Sequence, residues 1–128
     1  MRLLWYPEYS PDNSSSSVWK SLRKDLAKRH DLMLLVEAFL KKLAPIKDLA
    51  ELQKSEEIFP VGEGLWEMRI PKTRKGGVVR IYFCYKPDCP ETLVLLEAEL
   101  KHDKAGSGIP SARQRQTQYY EKLKRKPR

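Results

Sequence analysis

The chain has 128 residues, with 25 Lys and Arg against 17 Asp and Glu, for a formal net charge of +8. That length suits one domain around a single core, residues 1–128, and the 41% apolar content excludes wholesale disorder. The longest apolar run, Leu32 to Val36, is too short to cross a bilayer, and no apolar stretch of signal-peptide length follows a basic start. A cytoplasmic protein without a membrane partner is expected.

Charge is unevenly spread. Residues 1–100 hold 16 basic and 15 acidic groups, whereas 101–128 hold 9 basic groups against Asp103 and Glu121. A second basic patch, Arg69, Lys72, Arg74, Lys75, Arg80 and Lys86, contains no acidic residue between its ends. Such concentration fits a polyanionic partner, RNA or an acidic protein segment, while residues 125–128 read as a mobile basic tail.

In chain order, Met1 to Tyr6 is apolar and aromatic, stopped by Pro7, and reads as an edge strand. Pro11 to Ser17 is a loop whose last serines suit a helix N-cap. Val18, Trp19, Leu22 and Leu26 recur at helical spacing within 18–29. Asp31 is placed to cap a second helix ending at Leu43, with Leu32, Leu35, Val36, Phe39, Leu40 and Leu43 on one stripe. Pro45 interrupts; Ile46, Leu49 and Leu52 suggest one more helical turn, and Phe59 to Gly64 leads into a sheet.

Three strands follow. Residues 65–70 alternate, with Trp66, Met68 and Ile70 on one side and Leu65, Glu67 and Arg69 on the other. In 78–85, Val79, Ile81, Phe83 and Tyr85 oppose Val78, Arg80, Tyr82 and Cys84. Residues 92–101 are apolar on both sides and then charged at Glu97, Glu99 and Lys101, as a central strand would be. One face is therefore core, and the other brings Arg69, Arg80 and Lys101 together. Lys104 to Gly108 is a loop, and Pro110 starts a helix over Ser111 to Lys124, expected on the surface because its apolar content is thin. The expected fold is α+β, an antiparallel twisted sheet of about four strands with two N-terminal helices and a C-terminal helix.

Familiar catalytic sets are missing. His30, His102, Cys84 and Cys89 give no zinc ligand pattern, so no metal or other cofactor is expected. No sharp turn presents a serine, and the glycines near 106–108 lack the lysine and hydroxyl of a phosphate loop. The cysteines flank a hairpin turn, where a disulfide is conceivable and free thiols are commoner. Glu97 and Glu99 share a face, and their cationic neighbours suggest ion pairing rather than paired acid and base. What remains is cationic: Arg69, Arg80, Lys101, His102 and Lys104, beside Tyr82.

The order of these elements resembles the RelE/ParE superfamily of toxins from type II toxin-antitoxin pairs, especially its HigB-like branch. Leu65-Trp66-Glu67-Met68-Arg69 is similar to that branch's Leu-Trp-Glu-Leu-Arg motif. Val79-Arg80-Ile81-Tyr82-Phe83 is similar to its arginine entering an aromatic strand. Leu93 to His102, followed by Pro110-Ser111-Ala112-Arg113, resembles its strand, basic pair and proline-started helix. The resemblance implies a small RelE-like fold and a metal-independent mRNA endoribonuclease. It would act on messages in the ribosomal A site and leave a 2′,3′-cyclic phosphate.

The resemblance makes Arg80 the phosphate clamp, Lys101 and His102 the basic pair and Arg69 a further catalytic cation. Lys72, Arg74, Lys75, Tyr82 and Lys104 would contact RNA. Strand alternation puts His102 on the opposite side from Lys101 unless the strand ends or twists there. Glu67 stands where ribosome-dependent relatives carry lysine. It also implies a cognate antitoxin, a helix-turn-helix protein, in a hetero-oligomer. Two alternatives stay open: a ParE-like toxin that binds DNA gyrase without cutting, and a non-enzymatic RNA-binding module. Arg80 likewise has a second reading, as a cross-strand partner of Glu67 or Glu97.

Overall fold

The computed structural model describes residues 1–72, 77–101 and 108–125, so 126–128 of the expected tail 125–128 and most of the 104–108 loop lie outside the described residues, while Arg125 is not tail but the last residue of a helix. The fold is α+β. Its strands are β1 (Arg2–Trp5), β2 (Ile58–Gly62), β3 (Leu65–Ile70), β4 (Val78–Lys86) and β5 (Cys89–Lys101). Its helices are α1 (Ser17–Asp25), α2 (His30–Leu43), α3 (Leu49–Gln53) and α4 (Ile109–Arg125). No helix among the described residues is long and apolar enough to cross a membrane.

The sheet has five strands in the order β1-β5-β4-β3-β2. Strands β2 to β5 form an antiparallel meander, while β1 joins β5 in parallel, with Arg2 opposite Thr92 and Trp5 opposite Leu95. The expectation of about four antiparallel strands with two N-terminal helices is corrected in three respects: the sheet has a fifth strand, β1 is parallel to its neighbour, and α3 is a third helix ahead of β2. Side-chain alternation assigns residues to faces but leaves the direction of a neighbouring strand open; backbone pairing decides that, as in the Tyr6 N–H donating to Leu95 O at 3.0 Å. The stretch expected only to lead into the sheet is itself an edge strand, because Ile58 and Phe59 pair with Met68 and Glu67.

Helices α1 and α2 cover one face. Val18, Leu22, Leu32, Val36, Phe39 and Leu43 pack with Met68, Ile81, Phe83, Leu93 and Leu95 in the main core. Each fully buried side chain of this size contributes about 1.5–3 kcal/mol. Ser16 caps α1, its Oγ accepting from the N–H groups of Val18 and Trp19 while its hydroxyl donates to Tyr6 O at 2.7 Å, which ties the helix to the end of β1. Helix α1 ends at Asp25 rather than Arg29, and α2 begins at His30 with Arg29 at the cap position. Asp31 lies inside the first turn of α2, where its carboxylate suits the helix dipole and pairs with Arg29 at 3.2 Å. At the other end of α2 the Met1 ammonium donates to Leu43 O (2.7 Å), Ala44 O (3.1 Å) and Ile46 O, meeting carbonyls the helix cannot satisfy.

The opposite face carries α4, which is anchored rather than lying loosely on the surface. Ala112 and Tyr119 are buried against Leu65, Tyr82, Cys84, Val94 and Leu96 in a second, smaller core. Polar contacts hold both flanks: Arg113 Nη1 donates to Gly62 O (2.8 Å), Gln116 Nε2 to Glu63 O (3.1 Å) and Arg115 Nη1 to Leu96 O (2.7 Å). Five apolar side chains, Ile109, Ala112, Tyr119, Tyr120 and Leu123, therefore suffice where a thin sequence stripe suggested weak docking, because polar side chains of the same helix complete the attachment.

A bulge in β5 makes the second face what it is. Tyr82 pairs with Glu97 but Phe83 pairs with Leu95, so Leu96 is an extra residue. Leu93 and Leu95 lie in the main core before the bulge, and Ala98 and Leu100 lie there after it. The odd-numbered residues Glu97, Glu99 and Lys101 are thereby moved to the face of Arg80 and Tyr82. Uninterrupted alternation would have sent them into the main core.

Candidate functional site

Beyond the N-terminal end of α4, the second face presents a charged cluster built on β3, β4 and β5. Arg69 stands directly opposite Arg80 in the β3–β4 ladder. Like charges at paired positions repel, and the fold offsets this with a carboxylate from the same face. Glu67 is nearly enclosed, its side chain 4% exposed; its Oε1 meets Arg69 Nε at 2.5 Å and its Oε2 lies 3.8 Å from Arg80 Nη1. The Arg69 guanidinium also lies over the Phe59 ring, 4.0 Å from its centroid.

On the far side of Arg80, Glu99 is the organising group. Its Oε2 accepts from Tyr82 OH at 2.7 Å and from Gly108 N–H at 2.7 Å, and its Oε1 lies 3.6 Å from Lys101 Nζ. Gly108 immediately precedes α4, so this carboxylate also sits at a positive helix end. Glu97 pairs with Arg115 at 3.2 Å, and the Arg115 guanidinium covers the Tyr6 ring at 4.1 Å. Both glutamates are ion-paired, Glu97 with Arg115 and Glu99 with Lys101, as their cationic neighbours suggested.

The structure brings together Arg69, Arg80 and Lys101 among the expected site residues. Arg69 is the most open, with a third of its side chain exposed, against 13% for Arg80. Arg80 is held by Glu67, and its Nε and Glu67 Oε2 are buried without a hydrogen-bond partner. Tyr82 is corrected: it is fully buried, so its ring supports the floor and is closed to stacking on a base. Burial, and then the hydrogen bond to Glu99, push its phenol well above the ordinary value, so it stays protonated. Lys72 is not part of the cluster. It is exposed and lines a groove of about 190 Å³ against α2, with Lys42, Glu57 and Pro71. Arg74, Lys75, His102 and Lys104 lie outside the described residues.

Two contributors escaped sequence reasoning: Arg115 reaches the sheet from α4, and Gly108 admits Glu99. Glu67, one of the two cross-strand partners offered for Arg80, is the one that meets it, and it carries Arg69 as well. An added Cβ at Gly108 would stand 2.5 Å from Glu99 Oε2, so the missing side chain was the available signal. The cysteine thiols are both free: Cys84 faces Val94 across the ladder and Cys89 faces Lys86. Burial pushes the Cys84 thiol up to about 11. Among the described residues no group of three or more His, Cys, Asp or Glu side chains is arranged to hold a metal ion.

Chemically, the cluster can bind an oxyanion through two or three cations whose positions are set before a ligand arrives. Searches against protein-family models, curated proteins and solved structures found no match.

Proposed function

We propose that the chain is the toxin of a type II toxin-antitoxin pair, with a RelE-like fold, and that it cleaves messenger RNA on the ribosome without a metal. The observation that carries this reading is the Arg69–Arg80 pair at directly opposed positions, held by one enclosed carboxylate. Two guanidiniums set against each other are costly for a fold and useful for a phosphodiester. In the reaction the ribose 2′-oxygen bonds to phosphorus and the bond to the 5′-oxygen breaks. The 2′-proton goes to a base, and the departing oxygen takes up a proton. Arg80 and Arg69 neutralise charge on the phosphorane, and Lys101 assists from β5; His102 follows it in sequence and is the candidate for proton transfer. The motif resemblance of 65–69 and 79–83 supports the same assignment. The protein works in the cytoplasm, and its cognate antitoxin is a helix-turn-helix protein.

A binding role without cleavage has its own support, since Arg69, Arg80, Lys101 and Arg115 each have a carboxylate partner. Primer extension on messages from a cell-free translation reaction supplied with the protein separates the two. Discrete cuts ending in a 2′,3′-cyclic phosphate, absent when ribosomes are omitted, are expected. Intact messages at full protein occupancy would overturn the nuclease reading, and trapped gyrase–DNA cleavage complexes would replace it with the gyrase-binding alternative.

A further inference from the structure

The end of α4 remote from the arginine cluster carries a feature that the nuclease reading does not use. Two grooves, about 490 and 730 Å³, lie on either side of a ridge formed by Lys86 and Leu123, which line both. Leu4, Tyr9 and Tyr119 form the floor of the smaller one; Pro87, Cys89 and Tyr120 line the larger. Lys86, Lys122, Lys124 and Arg125 edge this apolar floor, against the two carboxylates Glu8 and Asp88. Lys122 and Lys124 are exposed, and Leu123 between them is only half-buried.

We infer that this double groove is a docking surface for an acidic, amphipathic protein segment, whose apolar side chains enter the two grooves while its carboxylates meet the lysines and Arg125. The inference is independent of whether the arginine cluster cuts RNA. Volumes of this size admit several apolar side chains, and a continuous apolar floor with a cationic rim is the complement of such a segment.

Two alternatives fit less well. An apolar, aromatic floor favours a single-stranded nucleic acid when its ring faces are open for bases to stack on. Here Tyr9 already packs on Tyr119 at 4.6 Å with Lys122 over its ring at 5.4 Å, and the Tyr120 hydroxyl donates to Tyr85 O at 3.3 Å. A second copy of this chain would bring another net charge of +8 to a rim that is already cationic. The floor is also firm: Tyr9 is held at φ 55° by its N–H bond to Trp5 O, at 2.8 Å. A segment would therefore meet a preformed surface.

The test is a peptide-display selection on the purified full chain, followed by affinity measurement of the enriched peptides. Enrichment of sequences that combine Asp or Glu with large apolar residues is expected. Their affinity should fall at least about tenfold in the double charge reversal Lys122→Glu/Lys124→Glu, whose exposed positions leave folding intact, and in Leu123→Asp. Enriched peptides that are not acidic, or that bind the charge-reversed protein equally well, would overturn the inference. So would binding of polyuridylate that the same reversal abolishes while peptides fail to compete, which would assign the groove to nucleic acid. A dimer in sedimentation that the reversal dissociates would likewise assign it to a second copy.

Discussion

Gly108→Ala tests how α4 is fastened to the sheet, and the structure supplies the magnitude. The new Cβ would stand 2.5 Å from Glu99 Oε2 and 2.9 Å from Tyr82 Cε2. Tyr82 is fully buried and cannot swing away, so the carboxylate must move. Moving it breaks two hydrogen bonds of 2.7 Å, from Tyr82 OH and from Gly108 N–H. Charge-assisted bonds of this kind are worth about 1.5–3 kcal/mol each, though they share one acceptor and water recovers part of the loss. Replacing glycine by alanine returns about 0.4–1 kcal/mol through the unfolded chain, leaving a net destabilisation of about 2–3 kcal/mol. Urea unfolding should show a lowered midpoint at unchanged slope. A double-mutant cycle with Tyr82→Phe adds a specific signature. The two changes remove the same hydrogen bond, so together they should cost about 1 kcal/mol less than their sum. A Gly108→Ala protein within about 0.5 kcal/mol of the wild type, or strict additivity with Tyr82→Phe, would refute the fastening role of Glu99.

Arg80→Ala should fold, because Arg69 keeps its 2.5 Å contact with Glu67, yet lose about 10²–10³ in single-turnover cleavage of ribosome-bound message. An unchanged rate in the folded variant would remove Arg80 from the site. Alkaline titration should loosen the α4 side of the sheet. Burial raises Tyr9, Tyr119 and Tyr120 from 10.0 to about 12, so the folded state holds protons that the unfolded chain releases. The associated stability is complete below pH 10 and declines as pH rises towards 12. Circular dichroism followed together with tyrosinate absorbance should therefore change in step over that window. Ionisation of these tyrosines near 10 with the fold unaltered would count against their burial.

The face assignments of β3 and β4 were legible in the sequence, since period-two alternation is a local property and an apolar residue facing water costs free energy at every second position. Arg69 and Arg80 could be placed on one face for that reason, and the amphipathic stripes of α1 and α2 could be read in the same way. Which partner each charge meets was not legible, because ion pairs form between strands at a register no single strand encodes. The bulge at Leu96 is the sharpest case. One inserted residue carries Glu97, Glu99 and Lys101 onto the Arg80 face, and the residues on either side look like ordinary alternation. The parallel entry of β1, the strand at Ile58–Gly62 and the docking of α4 are of the same kind. They depend on backbone groups finding partners far away in the chain, so only the tertiary structure could decide that Tyr82 is closed to a ligand, that Arg80 meets Glu67, and that Arg115 and the Gly108 N–H belong to the cluster.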